Sequence, residues 1–216
     1  MYAIIVGCGK IGSRLAQLLS SNENNVVVLD KDLTKFECLD QSFDGLTIEG
    51  DGTDQDVLKK AGIDKADVFI ATTEDDNTNL MSCQIAKQVF KVPRVVARVN
   101  DPKRESLFKE LEIDAIVCPT TIAAAHLRNA VMHPDLITIL TVTGGNIEIN
   151  EMQVKGSAVG KSLKDLKLPK ESTIAAIIRD RETLIPSGDT IIQECDVAVV
   201  VNLAGISDEV RNILCR

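Results

Sequence analysis

The feature that most constrains the fold of this chain is a glycine loop between an apolar segment and a helix-periodic one. Residues 2–6 are almost entirely apolar, as in a strand buried on both faces of a parallel sheet, and helical periodicity begins at Lys10. The loop between them reads Gly7-Cys8-Gly9-Lys10-Ile11-Gly12. In this setting its first glycine permits a tight turn, its second lets the backbone approach a pyrophosphate, and its third lets the helix pack closely on the sheet. Because the helix N-terminus also offers free N–H groups and a positive dipole to an anion, the loop predicts a Rossmann-type dinucleotide-binding domain.

Strand-like and helix-like segments alternate through the first two-thirds of the chain. After the first strand, apolar runs recur at residues 25–30, 46–49, 67–71, 94–98 and 115–117. Helix-periodic segments between them cover residues 10–21, 33–41, 54–61, 76–90 and 102–111. Such alternation implies right-handed crossovers and an open parallel sheet. We therefore predict an α/β fold with a Rossmann-type doubly wound parallel sheet over residues 1–118.

The pattern changes after residue 118. An alanine-rich helix is predicted at residues 120–132, and His133-Pro134 ends it. We assign residues 119–134 to a linking or dimerisation helix, because small side chains allow close packing; an ordinary covering helix is the alternative. Short β-like runs follow at residues 136–142, 146–154, 173–179 and 196–202, with turn sequences such as Gly144-Gly145 between several of them. Residues 135–216 are therefore predicted to form a second, smaller, β-rich α+β domain.

Asp30 is the acidic residue expected downstream of the glycine loop. It ends the second predicted strand, 18 residues after Gly12, where a carboxylate accepts hydrogen bonds from the adenosine ribose hydroxyls of a bound dinucleotide. A carboxylate at this position also repels a 2′-phosphate, so NAD(H) is favoured over NADP(H), although the neighbouring Lys31 weakens that preference. The alternative is an aspartate that is only solvated at a strand end.

Polar residues also follow the other predicted strands, at the carboxyl edge of the sheet where ligands of such folds bind. Gly50-Asp51-Gly52-Thr53 is placed to border the adenine, Thr72-Thr73 to approach the ribose or the phosphates, and Arg98 to pair with a phosphate. Lys10, within the loop itself, would add positive charge for a longer phosphate chain. The alternative for each of these residues is a helix cap or a solvated surface position.

Side chains for hydride-transfer chemistry are scarce. The only tyrosine, Tyr2, begins the first strand, and the two histidines, His126 and His133, lie seven residues apart with no third metal ligand at a suitable spacing. No serine or cysteine stands in a nucleophile-elbow motif. We therefore predict no catalytic residue and no metal site, and interpret the chain as a nucleotide sensor rather than an enzyme. A small NAD-dependent oxidoreductase and a scaffold with an empty cleft are the alternatives.

The net charge, the hydropathy pattern and the cysteine content limit the partners and the cellular environment expected for the protein. The net charge of −8 argues against a nucleic-acid partner, because nucleic-acid binders concentrate lysine and arginine. The N-terminus enters a strand directly and no window approaches about 18 uninterrupted apolar residues, so we expect a soluble, unexported protein. The six cysteines are widely spaced without a C-x-x-C pair, which predicts reduced, mostly buried thiols.

Several segments together resemble one protein family. In the first domain they are residues 4–12, 49–53, 71–80 (with Asp75-Asp76-Asn77-Thr78-Asn79 at their centre) and 97–102; in the second they are residues 159–163, 177–179 and 185–189. Over essentially its whole length the chain resembles the TrkA-like regulatory subunits of potassium uptake systems. In that family the nucleotide-binding part is the RCK (regulator of potassium conductance) domain, and the C-terminal part is the TrkA-C module.

The resemblance implies a cytosolic protein, peripheral on the inner face of the membrane. Such a protein docks on a potassium-translocating subunit of the TrkH or KtrB type and alters transport when NAD(H), or in relatives ATP or ADP, occupies the cleft. Carried over position by position, the family's nucleotide contacts fall on Gly7 through Ile11, Asp30, Thr73, Glu74 and Arg98. Several relatives have an arginine at the position of Lys10, and in them it helps to hold a terminal phosphate. Lysine keeps the positive charge of that arginine but lacks its bidentate fork.

Assembly and a second ligand are further implications of the resemblance. Some relatives duplicate the two-domain unit, whereas this chain has one copy, so a homodimer or a larger ring is expected. In some relatives the C-terminal module binds a small effector between two copies. Arg179 and the turn at Pro186 are the candidate residues here, and a module that only dimerises is the alternative.

Overall fold

The computed structural model describes residues 1–22, 24–132, 136–142, 147–203 and 205–216. The chain divides into two compact units, Met1–Ile122 and Ala123–Arg216. His133, Pro134, Gly144 and Gly145, which the sequence assigns to a helix end and a turn, lie outside the described residues. The division into residues 1–118, 119–134 and 135–216 stays a prediction.

The first unit is built on a six-stranded parallel sheet. Its strands are β1 Tyr2–Val6, β2 Asn25–Asp30, β3 Leu46–Glu49, β4 Val68–Ala71, β5 Arg94–Arg98 and β6 Ala115–Val117. They are hydrogen-bonded in the order β3-β2-β1-β4-β5-β6, and every pairing is parallel. This order confirms the predicted Rossmann-type sheet. It also places the reversal of strand order between β1 and β4, and the ligand cleft of such folds lies at that reversal.

Helices connect these strands. They are α1 Lys10–Ser20, α2 Gln55–Lys60, α3 Asp76–Gln84 with a π-helical extension Ile85–Val89, α4 Glu105–Glu110 and, after β6, α5 Pro119–Met132. The predicted helix at residues 33–41 is wrong, because only a 3₁₀ segment, Leu33–Cys38, forms there. No residue of that segment is fully buried. Phe36 is partly buried against the cluster that contains Ala3 and Ile5, but the segment lacks the broad buried apolar face that stabilises an α-helix. Similarly, residues 102–111 begin with a 3₁₀ turn, Pro102–Arg104, before α4.

Strand β1 explains why the N-terminal residues are so uniformly apolar. Ile4 and Val6 lie in the hydrophobic cluster on one side of the sheet, and Ala3 and Ile5 lie in the cluster on the other. Both faces of the strand are therefore covered by helices or connecting segments. A strand buried on both faces cannot alternate polar with apolar residues, so the continuous apolar run follows from the topology.

The second unit is an antiparallel sheet with one described C-terminal helix. Its strands are β7 Leu136–Val142, β8 Ile147–Gln153, β9 Ser172–Arg179, β10 Glu182–Leu184 and β11 Val197–Leu203, in the order β10-β9-β11-β8-β7. Helix α6, Ser207–Leu214, buries Val210 and Leu214 in the same cluster as Met152 and Val200. The predicted smaller β-rich α+β domain is confirmed. The sequence interpretation missed β10 and α6.

The cysteines are all free, and their environments differ from the expectation of mostly buried thiols. Cys8, Cys83 and Cys118 are buried, whereas Cys38 and Cys195 are exposed and Cys215 is partly buried. Burial raises the pKa of the Cys83 thiol to about 12, which keeps it protonated and unreactive at neutral pH. The expectation is therefore wrong for the two exposed cysteines, which occupy a 3₁₀ segment and a turn.

An ion pair between a partly exposed arginine and a buried aspartate connects β9 to the turn that precedes β11. The Asp196 carboxylate is 1% exposed and accepts hydrogen bonds of 2.8 Å from Nε and Nη2 of Arg179 and from the Gln193 N–H. Arg179 also donates to the Ile191 carbonyl at 3.0 Å. The Arg179 hydrogen bonds hold the pKa of Asp196 below its ordinary value. Arg179, which the family resemblance suggests as an effector contact, thus has a structural partner within its own unit.

We expect Asp196→Asn to lower the free energy of unfolding by about 3 kcal/mol near neutral pH, because it leaves the guanidinium without its carboxylate. A folded-state pKa below the unfolded value means that the aspartate stabilises the protein above about pH 4 and loses this contribution as the pH falls further. The difference between the wild type and the variant should therefore shrink in acid. Urea unfolding followed by circular dichroism at about pH 7 and about pH 3 measures this difference.

The matched control is Asp189→Asn, which removes an exposed partner of Lys164 and should cost less than about 1 kcal/mol. A wild-type minus Asp196→Asn difference that stays constant between neutral and acidic pH would contradict this account of the ion pair.

Candidate functional site

A cavity of about 320 Å³ opens at the carboxyl edge of the parallel sheet, beside the ends of β1 and β4. The predicted site residues that line it are Gly7, Gly9, Asp30, Lys31, Gly50, Asp51, Gly52, Thr72, Thr73, Glu74 and Arg98. Five lining residues were not predicted: Val6, Asp32, Lys35, Asp75 and Thr78. The strand-end rule for parallel sheets therefore locates the cavity, and the binding role of these residues stays a prediction.

Five predicted site residues lie outside the cavity lining: Cys8, Lys10, Ile11, Gly12 and Thr53. The Cys8 side chain is buried in the core, and the side chains of Lys10 and Ile11 are exposed at the start of α1. Thr53 donates its backbone N–H and its hydroxyl to Asp51 Oδ1, at 2.9 and 2.8 Å, and these bonds lower the pKa of Asp51. Thr53 thus shapes the turn after β3 instead of presenting its hydroxyl to the cavity.

The surroundings of the three loop glycines differ in how much space they leave for a side chain. Gly7 has φ +100°, and a Cβ there would lie 2.9 Å from the Thr73 nitrogen. A Cβ on Gly12 would lie 1.8 Å from the Gly7 carbonyl oxygen, so only glycine lets α1 approach the loop this closely. A Cβ on Gly9 meets no atom within 4 Å, and its empty side borders the cavity. The distances agree with the turn predicted at Gly7 and the close helix packing predicted at Gly12, whereas the approach of a pyrophosphate to Gly9 stays a prediction.

The start of α1 offers backbone N–H groups to an anion. Gly9 is the N-cap and has no side chain to cap the helix, and the first α-helical bond runs from the Ser13 N–H to the Gly9 carbonyl at 2.9 Å. The N–H groups of the preceding three residues therefore have no acceptor within the helix. With the helix dipole, they form an anion-binding end beside the cavity-lining Gly7 and Gly9.

Asp30 holds the glycine loop as well as facing the cavity. Its Oδ2 accepts the Cys8 N–H at 2.7 Å, and its Oδ1 accepts the Asp32 N–H at 3.0 Å. The Cys8 N–H is thereby engaged and is not a free donor for a phosphate. Each carboxylate oxygen keeps a further lone pair for a hydroxyl donor, so the residue still fits a ribose.

Thr72 joins β4 to the end of β1. Its hydroxyl lies 3.1 Å from the Val6 carbonyl and 2.9 Å from the Gly7 carbonyl and donates to them, and the residue is 5% exposed. This is a different role from the predicted ribose or phosphate contact. Both Thr72 and Thr73 line the cavity, and the Thr73 side chain is the less buried of the two.

Arg98, the last residue of β5, supplies positive charge to the cavity. Its Nη1 donates to the Thr72 carbonyl at 3.3 Å, whereas its Nε is buried and has no hydrogen-bond partner among the described residues. A buried N–H without an acceptor costs about 1–3 kcal/mol, so the position favours an anionic ligand group. Together with the open side of Gly9 and the free amides of α1, this orphaned donor fits the phosphates of a nucleotide.

The adenosine end predicted beside Asp30 has mixed charge. Lys31 and Lys35 line the cavity with Asp32 and Asp51. The nearby ammonium groups contribute to lowering the pKa values of the two aspartates, Lys31 for Asp51 and Lys35 for Asp32, after the hydrogen bonds from Thr53 and Thr34. Lys35 escaped prediction because the sequence places it inside a supposed α-helix, whereas the 3₁₀ segment brings it to the cavity.

Two other sequence expectations concern metals and membranes. His126 is exposed on α5, and His133 lies outside the described residues. No cluster of three or more histidine, cysteine, aspartate or glutamate side chains able to hold a metal ion occurs in the described part of the chain. Across the same residues, no helix combines the length and apolar character needed to span a bilayer.

Comparison with protein-family models shows the family to which this chain belongs. Residues 3–119 match the TrkA-N domain and residues 151–214 match the TrkA-C domain. The chain belongs to the TrkA family. The Trk system potassium uptake protein TrkA homolog of Methanothermobacter thermautotrophicus is 32% identical to this chain, and the alignment covers 98% of each protein. The TrkA of Streptomyces coelicolor is 33% identical, over 99% of this chain and 94% of the relative's length. An Archaeoglobus fulgidus TrkA homolog is 36% identical over 94% of this chain but only 47% of its own length.

Solved structures show the same fold in RCK domains. The GsuK RCK domain aligns with a TM-score of 0.58 at 23% identity, covering 98% of this TrkA chain and 46% of that one. The GsuK channel bound to NAD aligns with a TM-score of 0.57 at 22% identity, over 98% and 38% of the two chains. GsuK bound to ADP aligns at 0.54 with 27% identity, over 62% of this chain and 34% of that one. The resemblance to TrkA-like proteins is confirmed by the TrkA-N and TrkA-C matches, and the GsuK structures share the fold.

We expect Gly12→Ala to lower the free energy of unfolding of the first unit by about 1–3 kcal/mol, because its Cβ would collide with the backbone of Gly7. The matched control in the same loop is Gly9→Ala, whose Cβ meets open space and should cost less than about 1 kcal/mol as a poorer N-cap. Urea unfolding of both variants measures the difference. Equal losses for the two variants would contradict the steric role assigned to Gly12.

Proposed function

We propose that this TrkA-family chain is a cytosolic, nucleotide-sensing regulatory subunit of a Trk or Ktr type potassium uptake system. It binds NAD(H) in the cavity at the carboxyl edge of the parallel sheet. It docks on a membrane potassium-translocating subunit of the TrkH or KtrB type at the inner face of the membrane and gates that subunit. The relatives' name, Trk system potassium uptake protein, supports the transport role.

The observation that carries this proposal is the pairing of two chemically different ends around one cavity. The phosphate end combines the free amides at the start of α1 with Arg98, whose buried Nε has no partner among the described residues. The ribose end has the Asp30 carboxylate. A nucleotide presents anionic phosphates and neutral hydroxyl donors a few bonds apart, so it satisfies both ends simultaneously.

Asp30 favours NAD(H) over NADP(H) in this proposal. Its carboxylate repels a 2′-phosphate, and its hydrogen bonds to Cys8 and Asp32 fix it in place, so it cannot easily swing away. Lys31 and Lys35 moderate the preference, because both line the same end. The GsuK structures bound to NAD and to ADP support ligands of this class, and ATP or ADP is the alternative occupant.

A regulatory role accounts for the residues of the cavity better than catalysis. The lining consists of glycines, threonines, a valine and charged side chains that suit binding of phosphate and ribose. Under this proposal the chain acts on transport by having different nucleotide affinities in two conformations, which the membrane subunit distinguishes.

Assembly as a homodimer or larger ring is part of the proposal. Helix α5, predicted to link or dimerise, exposes Ile122, Leu127 and Val131 by 51%, 68% and 78% of their surface. Apolar residues repeated along one helix at this exposure suit a helix-to-helix interface between copies.

The binding claim is tested by titrating the full chain with NADH, NADPH, ADP and ATP in a calorimeter. We expect NADH to bind more tightly than NADPH. Arg98→Gln should weaken NADH binding about 10- to 100-fold, because it removes a charged hydrogen bond to a phosphate. The matched control is Arg94→Gln, at the opposite end of the same strand and outside the cavity lining, which should bind as the wild type does.

The proposal fails if none of the four nucleotides binds the wild type, or if Arg94→Gln weakens binding as much as Arg98→Gln. Tighter binding of ATP than of NADH would keep the sensor role and replace its ligand.

A further inference from the structure

Two polar side chains near the start of α3 are buried behind the cavity without lining it. Asp76 is the first residue of the helix and is 6% exposed, and Asn79, one turn later, is 0% exposed. Buried polar groups destabilise a protein unless hydrogen bonds satisfy them, so the partners of these side chains show what they do.

Asn79 uses every hydrogen-bonding position of its amide on two neighbouring strand ends. Its Oδ1 accepts the N–H and the hydroxyl of Thr73 at 2.9 and 2.7 Å. Its Nδ2 donates to the carbonyls of Thr73 and Arg98, both at 3.0 Å. The opposite amide orientation would set two N–H donors against the Thr73 N–H, so the network fixes which way the side chain points. Asn79 therefore joins the residue that follows β4 to the last residue of β5.

Asp76 extends the same connection beyond β5. Its Oδ1 accepts the N–H and the side-chain amide of Asn100 at 2.7 and 2.9 Å, and its Oδ2 accepts the Asp101 N–H at 3.0 Å. The Asn100 side chain also donates to the Thr73 carbonyl at 3.2 Å. The Thr73 carbonyl thus accepts from both Asn79 and Asn100, and the network closes on itself.

The network lies behind two of the residues that face the cavity. Thr73 and Arg98 both line it, and the backbone of each is held by Asn79. Two strand ends held by one set of buried hydrogen bonds move together, because releasing either leaves unsatisfied polar groups in the interior. A ligand contact that moves one strand end should therefore also move the other strand end and the first turn of α3.

We infer that Asp76 and Asn79 are positioning residues that hold Thr73 and Arg98 as a single unit and connect nucleotide contact with that unit to α3. The inference rests on the proposed nucleotide site. It says which residues preorganise that site and through which contacts nucleotide binding affects α3. Preorganised contacts bind more tightly because their ordering is completed before the ligand arrives.

The linkage itself is tested without ligand, by amide hydrogen exchange measured by NMR on the full chain. Asn79→Ala should speed exchange about tenfold or more not only at Thr73, which it contacts, but also at Asn100 and Asp101, which it does not. Asp76→Ala should likewise speed exchange at Thr73. Faster exchange confined to the amides that each side chain bonds directly would overturn the single unit. Asn79→Ser is the milder substitution if Asn79→Ala does not fold.

The effect on the site is tested by NADH titration of the same variants. Asn79→Ala should weaken NADH binding about tenfold, whereas in an Arg98→Gln background the same substitution should cost less than about threefold, because the guanidinium that it positions is absent. The matched control is Ser82→Ala, which removes a buried hydroxyl on the same helix whose one hydrogen bond among the described residues is to the Asn79 carbonyl. It should bind NADH as the wild type does.

The outcomes separate this inference from the proposed function. A wild type that binds NADH while Asn79→Ala binds equally well overturns the positioning role and leaves the proposed function standing. A wild type that binds none of the nucleotides ends the proposed function, and the amide exchange still decides whether the two strand ends form one unit.

Discussion

The close approach of three backbone segments at Gly7 is the constraint on which the rest of the first unit depends. The end of β1, the start of α1 and the end of β4 meet there within van der Waals distance, because Gly7 and Gly12 have no side chains to separate them. Thr72 completes the junction by donating its hydroxyl to the carbonyls of Val6 and Gly7. The Val6 carbonyl also accepts the Thr72 N–H at 2.7 Å, so Thr72 holds the end of β1 against the end of β4 beside the cavity. The junction places an anion-binding helix end directly beside the carboxyl edge of the sheet.

The residues around the cavity divide into those that build it and those that remain available to a ligand. Asp30 belongs to both groups, since it holds the glycine loop through Cys8 and still faces the cavity. Arg98 has most of its donors free, and the backbone that carries it is fixed from behind by Asn79. This arrangement, with a fixed backbone and a guanidinium whose donors are largely uncommitted, suits a site whose occupancy changes the balance between conformations. In the second unit, the ion pair of Arg179 with the buried Asp196 connects β9 to the turn that precedes β11.

The sequence predicted the features that depend on local pattern. The six parallel strands, the glycine loop and the cavity at the strand ends follow from apolar runs, spacing and the strand-end rule. The 3₁₀ segment Leu33–Cys38 could not be predicted this way, because its periodicity resembles that of an α-helix, and the small extent of its burial, at Phe36, is set by the fold. Lys35 was missed for the same reason.

The burial of polar residues was the other feature that the sequence pattern did not predict. Asn79 and Asp76 occur in a polar segment that looks solvated, and their burial arises from the approach of β5 and its following turn, which are distant in sequence. Thr72 and Thr73 are identical in type and both line the cavity, yet the Thr72 hydroxyl bonds to the end of β1 and the Thr73 hydroxyl bonds to Asn79. Such distinctions depend on which partner each side chain meets in space. Local spacing does not contain that information.

The central claim is that nucleotide in this cavity controls potassium transport by a membrane subunit. The most direct measurement is potassium uptake into vesicles that contain the cognate translocating subunit, with the full chain added in the presence and absence of NADH. The account predicts that NADH changes the uptake rate with the wild type and with Arg94→Gln, and that the response is lost with Arg98→Gln. An uptake rate that NADH does not alter with the wild-type chain, or an Arg98→Gln response equal to that of the wild type, would contradict it.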